Sequence, residues 1–413
     1  MKNNIYDVIV IGGGASGMMA AGRAAERGKR VLLLEKNKTL GEKLKITGGG
    51  RCNIANAEES VQLLLGHYGA AKQFLFSSFS QFGVSDTFTF FESKGLPLVI
   101  QERQRVFPKT EKAADVLKVL EQYLKQHNVE IKTNVRVNEI VGVNGKIKNI
   151  IADKKILQAN SYIVATGGKS HPETGSTGDG FKWLASLGHT VTQPTPSIVP
   201  LAVDDSWVKK LAGVTLPEMK ITFFLNDKKS FSLKGPLLFT HFGLSGPLIL
   251  NAAKKVADLL HAGQVTATID IHPTSDLGSF DKQIIKIFDD NKNKTLKNVF
   301  KEITPAGTAG VILSLIKNVD SETKVHSITK DQRRQIVYLL KNLPVTIKGL
   351  MGDDRAVISD GGVSLKEIDA KTMQSKLYSN LFVTGDLLHI SRPSGGYSLQ
   401  LCWTTGHIAG SYC

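Results

Sequence analysis

Residues 6–17 read YDVIVIGGGASG, an apolar run that leads directly into a cluster of glycines. A short and continuously apolar run of this kind is typical of a strand that is buried on both faces. An alanine-rich segment follows as far as Arg27, Gly28 is a typical helix terminator, and residues 30–34 form a second apolar run that ends at Glu35. The succession predicts a βαβ unit of about 30 residues and a parallel sheet covered by helices.

The glycine cluster has the spacing of a dinucleotide-binding fingerprint. Gly12, Gly14 and Gly17 satisfy G-x-G-x-x-G between a predicted strand and a predicted helix, the context that gives this pattern its specificity. The first glycine permits a tight turn, the second lets the backbone approach a pyrophosphate, and the third allows the helix to pack closely on the strand. Glu35 follows Gly17 by 18 residues and is placed to accept hydrogen bonds from a ribose, which favours FAD or NAD over NADP. Lys36 either lines the same ribose or is a solvated lysine at the strand end.

Two features near the C-terminus favour FAD over NAD. Asp386 follows Gly385 at the end of an apolar run, where its carboxylate is suited to the hydroxyls of a ribityl chain or, alternatively, to capping the next segment. Residues 393–400 read PSGGYSLQ and place Gly395 and Gly396 directly before an apolar helix. The N–H groups at that helix start are suited to the flavin N1 and C2 carbonyl, where negative charge accumulates on reduction.

The rest of the first half alternates helical and strand patterns. Residues 113–128 have helical apolar spacing, and the apolar positions from 129 to 137 then alternate as in a strand. Asn144-Gly145 stands between two further strand-like runs and is a strong signal for a two-residue hairpin turn, so a small antiparallel meander is predicted. Residues 161–165 are another buried-strand pattern, which ends in Thr166 and Gly167.

A cluster of prolines near residue 195 marks a change in composition, and alternating strand patterns follow it. We therefore predict an α/β fold with a Rossmann-like FAD-binding domain (parallel sheet with β-meander), an inserted β-barrel-like domain and a small helical subdomain. The predicted FAD-binding domain takes residues 1–194 and 352–413. The β-rich substrate domain takes 195–272 and 344–351, and the Lys-rich stretch 273–343 is the helical insertion.

Bulk composition limits the classes of partner. The chain has 52 Lys+Arg against 37 Asp+Glu, a formal net charge of +15, but the basic residues are dispersed, so no specific nucleic-acid surface is expected. Cys52, Cys402 and Cys413 have neither disulfide-framework nor metal-ligand spacing, which predicts a reduced, cytoplasmic protein without a metal site. No 18-residue apolar stretch and no signal-peptide pattern occur, so a membrane span and secretion are not expected. Nothing in the sequence indicates an oligomeric state.

Five stretches spread over the whole chain carry a family resemblance. They are residues 9–17 (IVIGGGASG), 41–53 (GEKLKITGGGRCN), 165–168 (ATGG), 238–247 (LFTHFGLSGP) and 395–400 (GGYSLQ). With these motifs the sequence resembles the BaiN/RdsA-type (YhiN-like) flavoproteins, a family within the glutathione-reductase-like FAD/NAD(P)-binding superfamily. The first stretch is common to many flavoproteins, whereas the second and fourth are narrow.

The resemblance implies an FAD domain built from both chain ends and assigns further residues to the cofactor. It places Ala15 and Ser16 at the pyrophosphate and the backbone near Val135 at the adenine. It brings residues 50–53 (Gly50, Arg51, Cys52 and Asn53) beside the flavin. The predicted FAD set also takes the motif positions Lys43, Thr166, Gly167, Tyr397 and Ser398.

Three positions depart from the pattern of that family. Asp386 stands where the family commonly has Glu, His389 where it has Asp, and Ser398 where it has Asn. These changes leave the substrate open, since the activities of the family include reduction of steroid-like enones and oxidation of small amines.

The chain carries one dinucleotide fingerprint. The later cluster Gly175, Gly178 and Gly180 does not match the pattern, so NADH or NADPH would dock only transiently as electron donor, or the electrons would come from the substrate. A redox-active C-x-x-C is also missing, which disfavours disulfide reduction.

Four residues are candidates for chemistry beside a flavin. His241 is the first candidate for proton transfer and His389 the second, because histidine titrates near neutral pH; both also suit structural or solvated roles. Arg51 is suited to stabilising the reduced flavin or orienting an acidic substrate, with an ordinary ion pair as the alternative. Cys52 is either a thiolate near the flavin or simply a packed residue.

We therefore predict an FAD-dependent oxidoreductase in which hydride transfer passes through flavin N5. The favoured version is an NAD(P)H-linked reductase of an electron-poor C=C bond in a small molecule. The alternatives are an oxidase of a small amine that uses oxygen, an RNA-binding flavoprotein suggested by the net charge, and a protein in which FAD is structural.

Overall fold

The computed structural model describes residues 6–58, 60–317, 319–352, 354–356 and 358–413. The chain divides into two compact units. The first unit takes Met1–Pro196 and Asp353–Cys413, and the second unit takes Ser197–Gly352. Among the described residues no helix combines the length and apolarity that a membrane crossing requires.

The strands follow one another along the chain as β1 (Tyr6–Ile11), β2 (Val31–Leu34), β3 (Ala55–Asn56), β4 (Leu98–Gln101), β5 (Arg105–Pro108), β6 (Glu130–Lys132), β7 (Val137–Val143), β8 (Lys146–Ala152), β9 (Lys155–Leu157), β10 (Ala159–Val164), β11 (Val191–Ser197), β12 (Leu201–Val203), β13 (Thr215–Leu225), β14 (Lys228–Thr240), β15 (Gly243–Ser245), β16 (Val265–Asp270), β17 (Leu343–Leu350), β18 (Ile358–Val363) and β19 (Leu381–Val383).

The helices are α1 (Ala15–Glu26), α2 (Glu42–Ile46), α3 (Val61–Gly66), α4 (Lys72–Gln81), α5 (Val84–Ser93), α6 (Ala113–Gln126), α7 (Asp179–Ser186), α8 (Ser206–Lys210), α9 (Pro247–Ala262), α10 (Leu277–Asp290), α11 (Leu296–Ile303), α12 (Ala309–Leu313), α13 (Lys330–Lys341) and α14 (Tyr397–Tyr412).

The first unit is built on a parallel five-stranded sheet in the order β19-β10-β1-β2-β6. Strands β1 and β2 pair with Val10 opposite Leu33, and both side chains are fully buried. Helix α1 connects them and ends at Glu26, after which Gly28 adopts a φ of +83°. The predicted βαβ unit and its glycine terminator are therefore confirmed. Continuous apolar strands predict this arrangement because their side chains are buried only when helices cover both faces of the sheet.

The predicted meander is confirmed as the antiparallel sheet β7-β8-β9. Asn144 and Gly145 join β7 to β8 with φ values of +49° and +71°, the left-handed pair that a tight hairpin turn requires. The expected strand from residue 129 to 137 is wrong in its extent. Strand β6 ends at Lys132 and β7 begins at Val137, because Asn134 takes a left-handed conformation (φ +55°) that ends strand geometry.

The second unit contains a closed antiparallel barrel in the order β12-β15-β14-β13-β16-β17. Helices α10 to α13 lie in the chain between β16 and β17, and Leu296, Phe300 and Ile336 are among their fully buried side chains. The predicted fold class is thus confirmed, since the chain combines a Rossmann-like parallel sheet with a barrel and helices inserted into the barrel sequence.

The C-terminal helix α14 packs closely along α1. A Cβ on Gly406 would lie 2.4 Å from the carbonyl oxygen of Ser16, and one on Gly410 would lie 2.4 Å from that of Ala20. Trp403, which is fully buried, donates its indole N–H to the carbonyl oxygen of Ile54 at 3.0 Å. The last 16 helical residues therefore hold the cofactor-fingerprint helix in place, because glycine lets the two backbones approach.

One side chain of α14 gives the first unit an expected acid sensitivity. The ring of His407 stacks on Phe82 at 4.2 Å, its Nδ1 has no hydrogen-bond partner among the described residues, and burial lowers the pKa of His407 to about 4. Unfolded chains bind this proton below a pH of about 6.5, whereas the folded protein resists it. We expect the free energy of unfolding to hold above pH 6.5 and to fall by about 2–3 kcal/mol on acidification toward pH 4.

Denaturant unfolding at pH 7 and pH 4.5 measures this effect. The variant His407→Gln should lose less stability between the two pH values than the wild type. His127→Gln, which removes a half-exposed imidazole from the same unit, should behave like the wild type. Equal losses in His407→Gln and the wild type would show that another group is responsible.

Candidate functional site

A cleft of about 1200 Å³, including the open volume at its mouth, lies in the first unit where the parallel strands end. Its walls come from the loop after β1, the end of β2, the turn before α2, the residues after β10 and the C-terminal region. Ligands of open parallel sheets bind at the carboxyl ends of the strands, where the connections diverge to opposite sides. Strand β1 lies between β10 and β2, so the fingerprint loop is at such a point.

The three fingerprint glycines have distinct steric roles. Gly12 has a φ of +107°, and a Cβ there would lie 2.6 Å from the carbonyl oxygen of Ala165. A Cβ on Gly17 would come within 1.9 Å of the carbonyl oxygen of Gly12. A Cβ on Gly14 would meet nothing within 4 Å, so open space lies beside this backbone. The loop therefore packs tightly on its inner side and leaves room on its cleft side.

The N-terminus of α1 faces that space without a protein cap. No side chain caps the helix, and its first turn contains no acidic residue. Gly14, Ala15 and Ser16 line the cleft. Because the first N–H groups of a helix lack intrahelical partners and carry the positive end of its dipole, this arrangement suits a phosphate group.

Glu35 is buried at the end of β2 and its carboxylate is fixed in the cleft wall. Its Oε2 accepts a hydrogen bond from the N–H of Gly13 at 2.7 Å, and its Oε1 accepts one from the N–H of Asn37 at 2.8 Å. An ionised carboxylate has about four acceptor sites, so two directions are left for the hydroxyls of a ribose. Lys36 also lines the cleft, but its Nζ is held by Thr177 Oγ1 at 2.6 Å and Asp179 Oδ2 at 3.0 Å.

The part of the cleft predicted for the adenine contains apolar side chains. The N–H of Val135 donates to the carbonyl oxygen of Glu35 at 3.0 Å, which places Val135 beside the predicted ribose position. Val137 and Trp183 also line the cleft, and the indole N–H of Trp183 donates to the carbonyl oxygen of Asn138, the residue after Val137, at 3.1 Å. Trp183 was missed by sequence reasoning, since an indole on a short helix carries no motif.

The opposite end of the cleft is polar and contains Lys43, Asp386 and Ser398. Lys43 Nζ lies 3.9 Å from Asp386 Oδ2 and 3.1 Å from Ser170 Oγ. Burial lowers the pKa of Lys43, and the carboxylate of Asp386 opposes that shift. Behind them Arg392 binds both Asp386 and Ser398. No sequence pattern singled out Arg392.

Two residues after β10 complete the wall. Thr166 Oγ1 is buried in the cleft lining and has no hydrogen-bond partner among the described residues. Gly167 has a φ of +74°, and a Cβ there would lie 3.0 Å from Ser176 Oγ. An orphaned hydroxyl in a cleft is costly unless a ligand group pairs with it.

The predicted segment 50–53 lies next to the start of α14. With its amide oriented to satisfy its neighbours, Asn53 accepts from the N–H of Gly396 at 3.0 Å. Gly50 is exposed with a φ of +85°. Arg51 forms an ion pair with Glu111 at 3.1 Å, which supports the ion-pair alternative for this arginine. None of these three lines the cleft described above, so their place beside a flavin stays a prediction.

Burial favours one of the two alternatives for Cys52. The side chain is fully buried, and burial raises the pKa of the Cys52 thiol to about 12. Burial therefore favours the packed, protonated thiol over the thiolate alternative. Cys402, which lines the cleft, is held in the thiol form in the same way, with burial raising its pKa to about 12.

The remaining residues of the predicted cofactor set are near the C-terminus, namely Gly385, Gly395, Gly396 and Tyr397. A Cβ on Gly396 would lie 2.1 Å from the carbonyl oxygen of Ala55, and Gly396 is the N-cap of α14, which no side chain caps. Gly385 and Gly395 have φ values of +63° and +123°. Tyr397 is buried, and its carbonyl oxygen accepts from the hydroxyl of Tyr68 at 2.9 Å.

The candidate proton donors are in different units. His389 belongs to the first unit, where its Nε2 lies 3.9 Å from Asp360 Oδ1 and its side chain is 40% exposed. His241 belongs to the second unit, where it is exposed in the turn after β14 and its ring packs against Phe242 at 4.9 Å. Over the described ranges no group of three or more His, Cys, Asp and Glu side chains is arranged to hold a metal ion.

The residues present fit FAD. The uncapped helix start and the open space at Gly14 suit a pyrophosphate, and the fixed carboxylate of Glu35 suits a ribose. The polar cluster at Asp386 suits a larger, hydroxyl-bearing remainder. Fold and cleft together define a flavoprotein, an FAD-dependent oxidoreductase with a Rossmann-like cofactor domain.

The chain belongs to the HI0933-like protein Rossmann domain family, whose model matches residues 6–412. It is 30% identical over 404 residues to a 3-dehydro-bile acid delta(4,6)-reductase of Clostridium scindens, covering 97% of each protein. It is 27% identical over 409 residues to a ribosomal RNA dihydrouridine synthase of Haemophilus influenzae, covering 97% of this chain and 96% of that protein. The resemblance to BaiN/RdsA-type flavoproteins is thereby confirmed.

A solved structure shows the same fold. The 3-ketosteroid-delta4-(5alpha)-dehydrogenase of Rhodococcus jostii aligns with a TM-score of 0.55 at 14% identity, covering 100% of this chain and 97% of that chain. At this identity the likeness concerns the fold alone.

Proposed function

We propose that this protein is an NAD(P)H-linked reductase of a C=C bond conjugated to a carbonyl group in a small molecule. The observation that carries the proposal is the 30% identity, over nearly the whole of both chains, to a relative named as a delta(4,6)-reductase of a 3-dehydro-bile acid. A delta-4 double bond next to a 3-keto group is an electron-poor enone, which accepts hydride at its β carbon and a proton at its α carbon.

A second candidate is reduction of uracil bases in RNA. Two relatives, at 27% and 25% identity, are named as ribosomal RNA dihydrouridine synthases, and the chain carries a net charge of +15. The C5=C6 bond of uracil is conjugated to the C4 carbonyl, so the chemistry is the same as for an enone. These relatives weaken the expectation that no nucleic acid binds. The amine oxidase alternative stays a prediction.

The residues of the cleft have separable tasks in this proposal. The N-terminus of α1 and Glu35 bind the nucleotide half of FAD, and Asp386 with Ser398 binds the flavin half. When bound, FAD supplies hydride transfer at its flavin N5. The protein must then supply the proton, for which His389, with Asp360 beside it, and His241 are the proposed donors.

The proposed donor NADH or NADPH reaches the flavin by transient docking. The sequence offers one fingerprint, and Gly12, Gly14 and Gly17 of that fingerprint line or support the cleft proposed for FAD. Because the loop that is preorganised for a pyrophosphate is assigned to FAD in this proposal, the nicotinamide nucleotide would bind without a Rossmann site of its own.

An anaerobic two-step experiment tests the function. The purified protein is titrated with NADH and, separately, with NADPH, and the flavin absorbance is expected to bleach with at least one of them. The reduced protein is then mixed with a delta-4-3-keto steroid or with a uridine-containing ribosomal RNA fragment. Return of the flavin band with the steroid supports the first candidate, and return with RNA alone replaces it by the second.

Two controls define what would contradict the proposal. A fragment in which dihydrouridine replaces uridine should not reoxidise the flavin, and a saturated 3-keto steroid should not either. A flavin that stays oxidised with both nicotinamides but is reduced by an amine would overturn both candidates in favour of an amine oxidase.

A further inference from the structure

Arg392 is a buried cation that joins three points of the chain behind the cofactor cleft. Its side chain is 1% exposed. Its Nη1 donates to the carbonyl oxygen of Ile390 at 2.6 Å, its Nε donates to Ser398 Oγ at 2.9 Å, and its Nη2 is bonded to Asp386 Oδ1. The planar guanidinium therefore ties the segment after β19 to the first turn of α14 in one fixed geometry.

Two of the three groups that Arg392 binds line the cleft. Asp386 and Ser398 both belong to its wall, whereas Arg392 itself does not. Arg392 thus orients two side chains of the cleft wall, although it does not line the cleft itself. A buried arginine whose donors are matched to carboxylate, hydroxyl and carbonyl acceptors is costly to replace, because each acceptor would be left unpaired.

The cluster carries a net positive charge, and a further carboxylate that acts on Lys43, that of Glu173, is 59% exposed and lies 2.8 Å from His171 Nδ1. Lys43 lies on the other side of Asp386, 3.9 Å from Oδ2, so one carboxylate stands between two cations. The side chains of Lys43, Asp386 and Arg392 are 22%, 12% and 1% exposed. In a site of low effective dielectric, a net charge of about +1 acts on any ligand whose own charge changes. Flavins gain negative charge on reduction, and nearby cations stabilise that form.

We propose that Arg392 is a positioning residue that fixes Asp386 and Ser398 against the cofactor cleft, and that the Lys43–Asp386–Arg392 cluster raises the reduction potential of the bound FAD. The positioning role predicts weaker FAD binding when the contacts of Arg392 are lost. The electrostatic role predicts that reduced FAD loses more affinity than oxidised FAD when a positive charge is removed. The two roles are therefore separable by experiment.

Three variants separate contact from charge. Arg392→Gln removes the charge and most of the contacts, Arg392→Lys keeps the charge but loses the planar fork, and Ser398→Ala removes one contact with the charges intact. The readouts are the dissociation constant of oxidised FAD, measured by flavin fluorescence, and the midpoint potential, measured anaerobically against reference dyes. Neither readout depends on turnover.

For Arg392→Gln we expect about tenfold weaker binding of oxidised FAD and a potential lower by about 30 mV, the equivalent of a further tenfold loss for reduced FAD in a two-electron couple. Arg392→Lys should weaken binding to a similar extent at nearly the wild-type potential. Ser398→Ala should have a smaller effect on binding and none on the potential. A wild-type potential in Arg392→Gln overturns the electrostatic role, and wild-type affinity in both Arg392 variants overturns the positioning role.

Lys43→Gln provides the test if Arg392 variants fail to fold, since the Lys43 side chain is more exposed than that of Arg392 and lies on the cleft wall. It also lowers the net charge of the cluster by one. We expect the midpoint potential to fall by about 30 mV, which corresponds to a tenfold change in the ratio of the affinities for reduced and oxidised FAD. An unchanged or higher potential in Lys43→Gln overturns the electrostatic role by itself. In that event Ser398→Ala tests positioning, and wild-type FAD affinity in Ser398→Ala overturns it.

Discussion

Glu35→Ala is expected to purify with little or no FAD and to bind added FAD at least about 100-fold more weakly than the wild type. Hydrogen bonds to a charged group contribute about 1.5–3 kcal/mol each, and two such bonds from a ribose exceed the roughly 2.7 kcal/mol that 100-fold represents. The carboxylate also holds the N–H groups of Gly13 and Asn37, so its loss loosens the fingerprint loop as well.

The flavin-to-protein absorbance ratio of the purified protein and a titration with FAD measure this effect. Glu121→Ala is the matched control, since it removes a glutamate that is exposed on α6 in the same unit. It should retain FAD like the wild type. Full FAD retention in Glu35→Ala would contradict the ribose role of this carboxylate and would reopen the assignment of the whole nucleotide half.

Gly14→Ala and Gly17→Ala are expected to fail in different ways. A Cβ on Gly17 would lie 1.9 Å from the carbonyl oxygen of Gly12, so α1 must move away from β1, and we expect a loss of several kcal/mol in the free energy of unfolding. Gly14 has a φ of −82° and open space around its Cβ position, so Gly14→Ala should fold normally. It should nevertheless lose FAD, because the methyl group takes the space through which a pyrophosphate reaches the backbone.

Thermal unfolding of the apo forms and FAD titration separate these two outcomes. Gly14→Ala should unfold within a few degrees of the wild type and bind FAD at least about tenfold more weakly. Gly28→Ala serves as the control, since a Cβ at Gly28 would also meet nothing within 4 Å but Gly28 lies outside the cleft. Because Gly28 has a φ of +83°, the alanine should lower the free energy of unfolding by only about 1 kcal/mol. If Gly14→Ala retained FAD with wild-type affinity, the pyrophosphate would have to lie elsewhere.

Much of the cofactor half of the fold was predictable because its signals are local. The apolar runs of β1 and β2, the glycines between them and Glu35 lie within 30 residues, and periodicity alone orders them. The Asn144-Gly145 turn was predictable for the same reason, since its left-handed backbone is a property of two adjacent residues. The strand expected from 129 to 137 failed because the turn at Asn134 interrupts an alternation that continues in the letters of the sequence.

The predicted site was recovered unevenly. Gly12, Gly14, Glu35, Asp386 and Ser398 line one cleft, as their assignment to one cofactor requires. Residues 50–53 do not line it, and burial, which a sequence motif does not encode, favours the packed alternative for Cys52.

The sequence by itself determined the dinucleotide fingerprint, the class of fold and the preference for FAD, because each depends on short motifs whose own residues are neighbours along the chain. Only the tertiary structure decided what surrounds the cofactor. Lys43 and Arg392 are separated by most of the chain, and the tertiary structure brings both to Asp386. It likewise brings Trp183 of α7 and Thr166, the second residue after β10, to the lining of one cleft. Strand order and burial set these contacts, and neither is written in local periodicity.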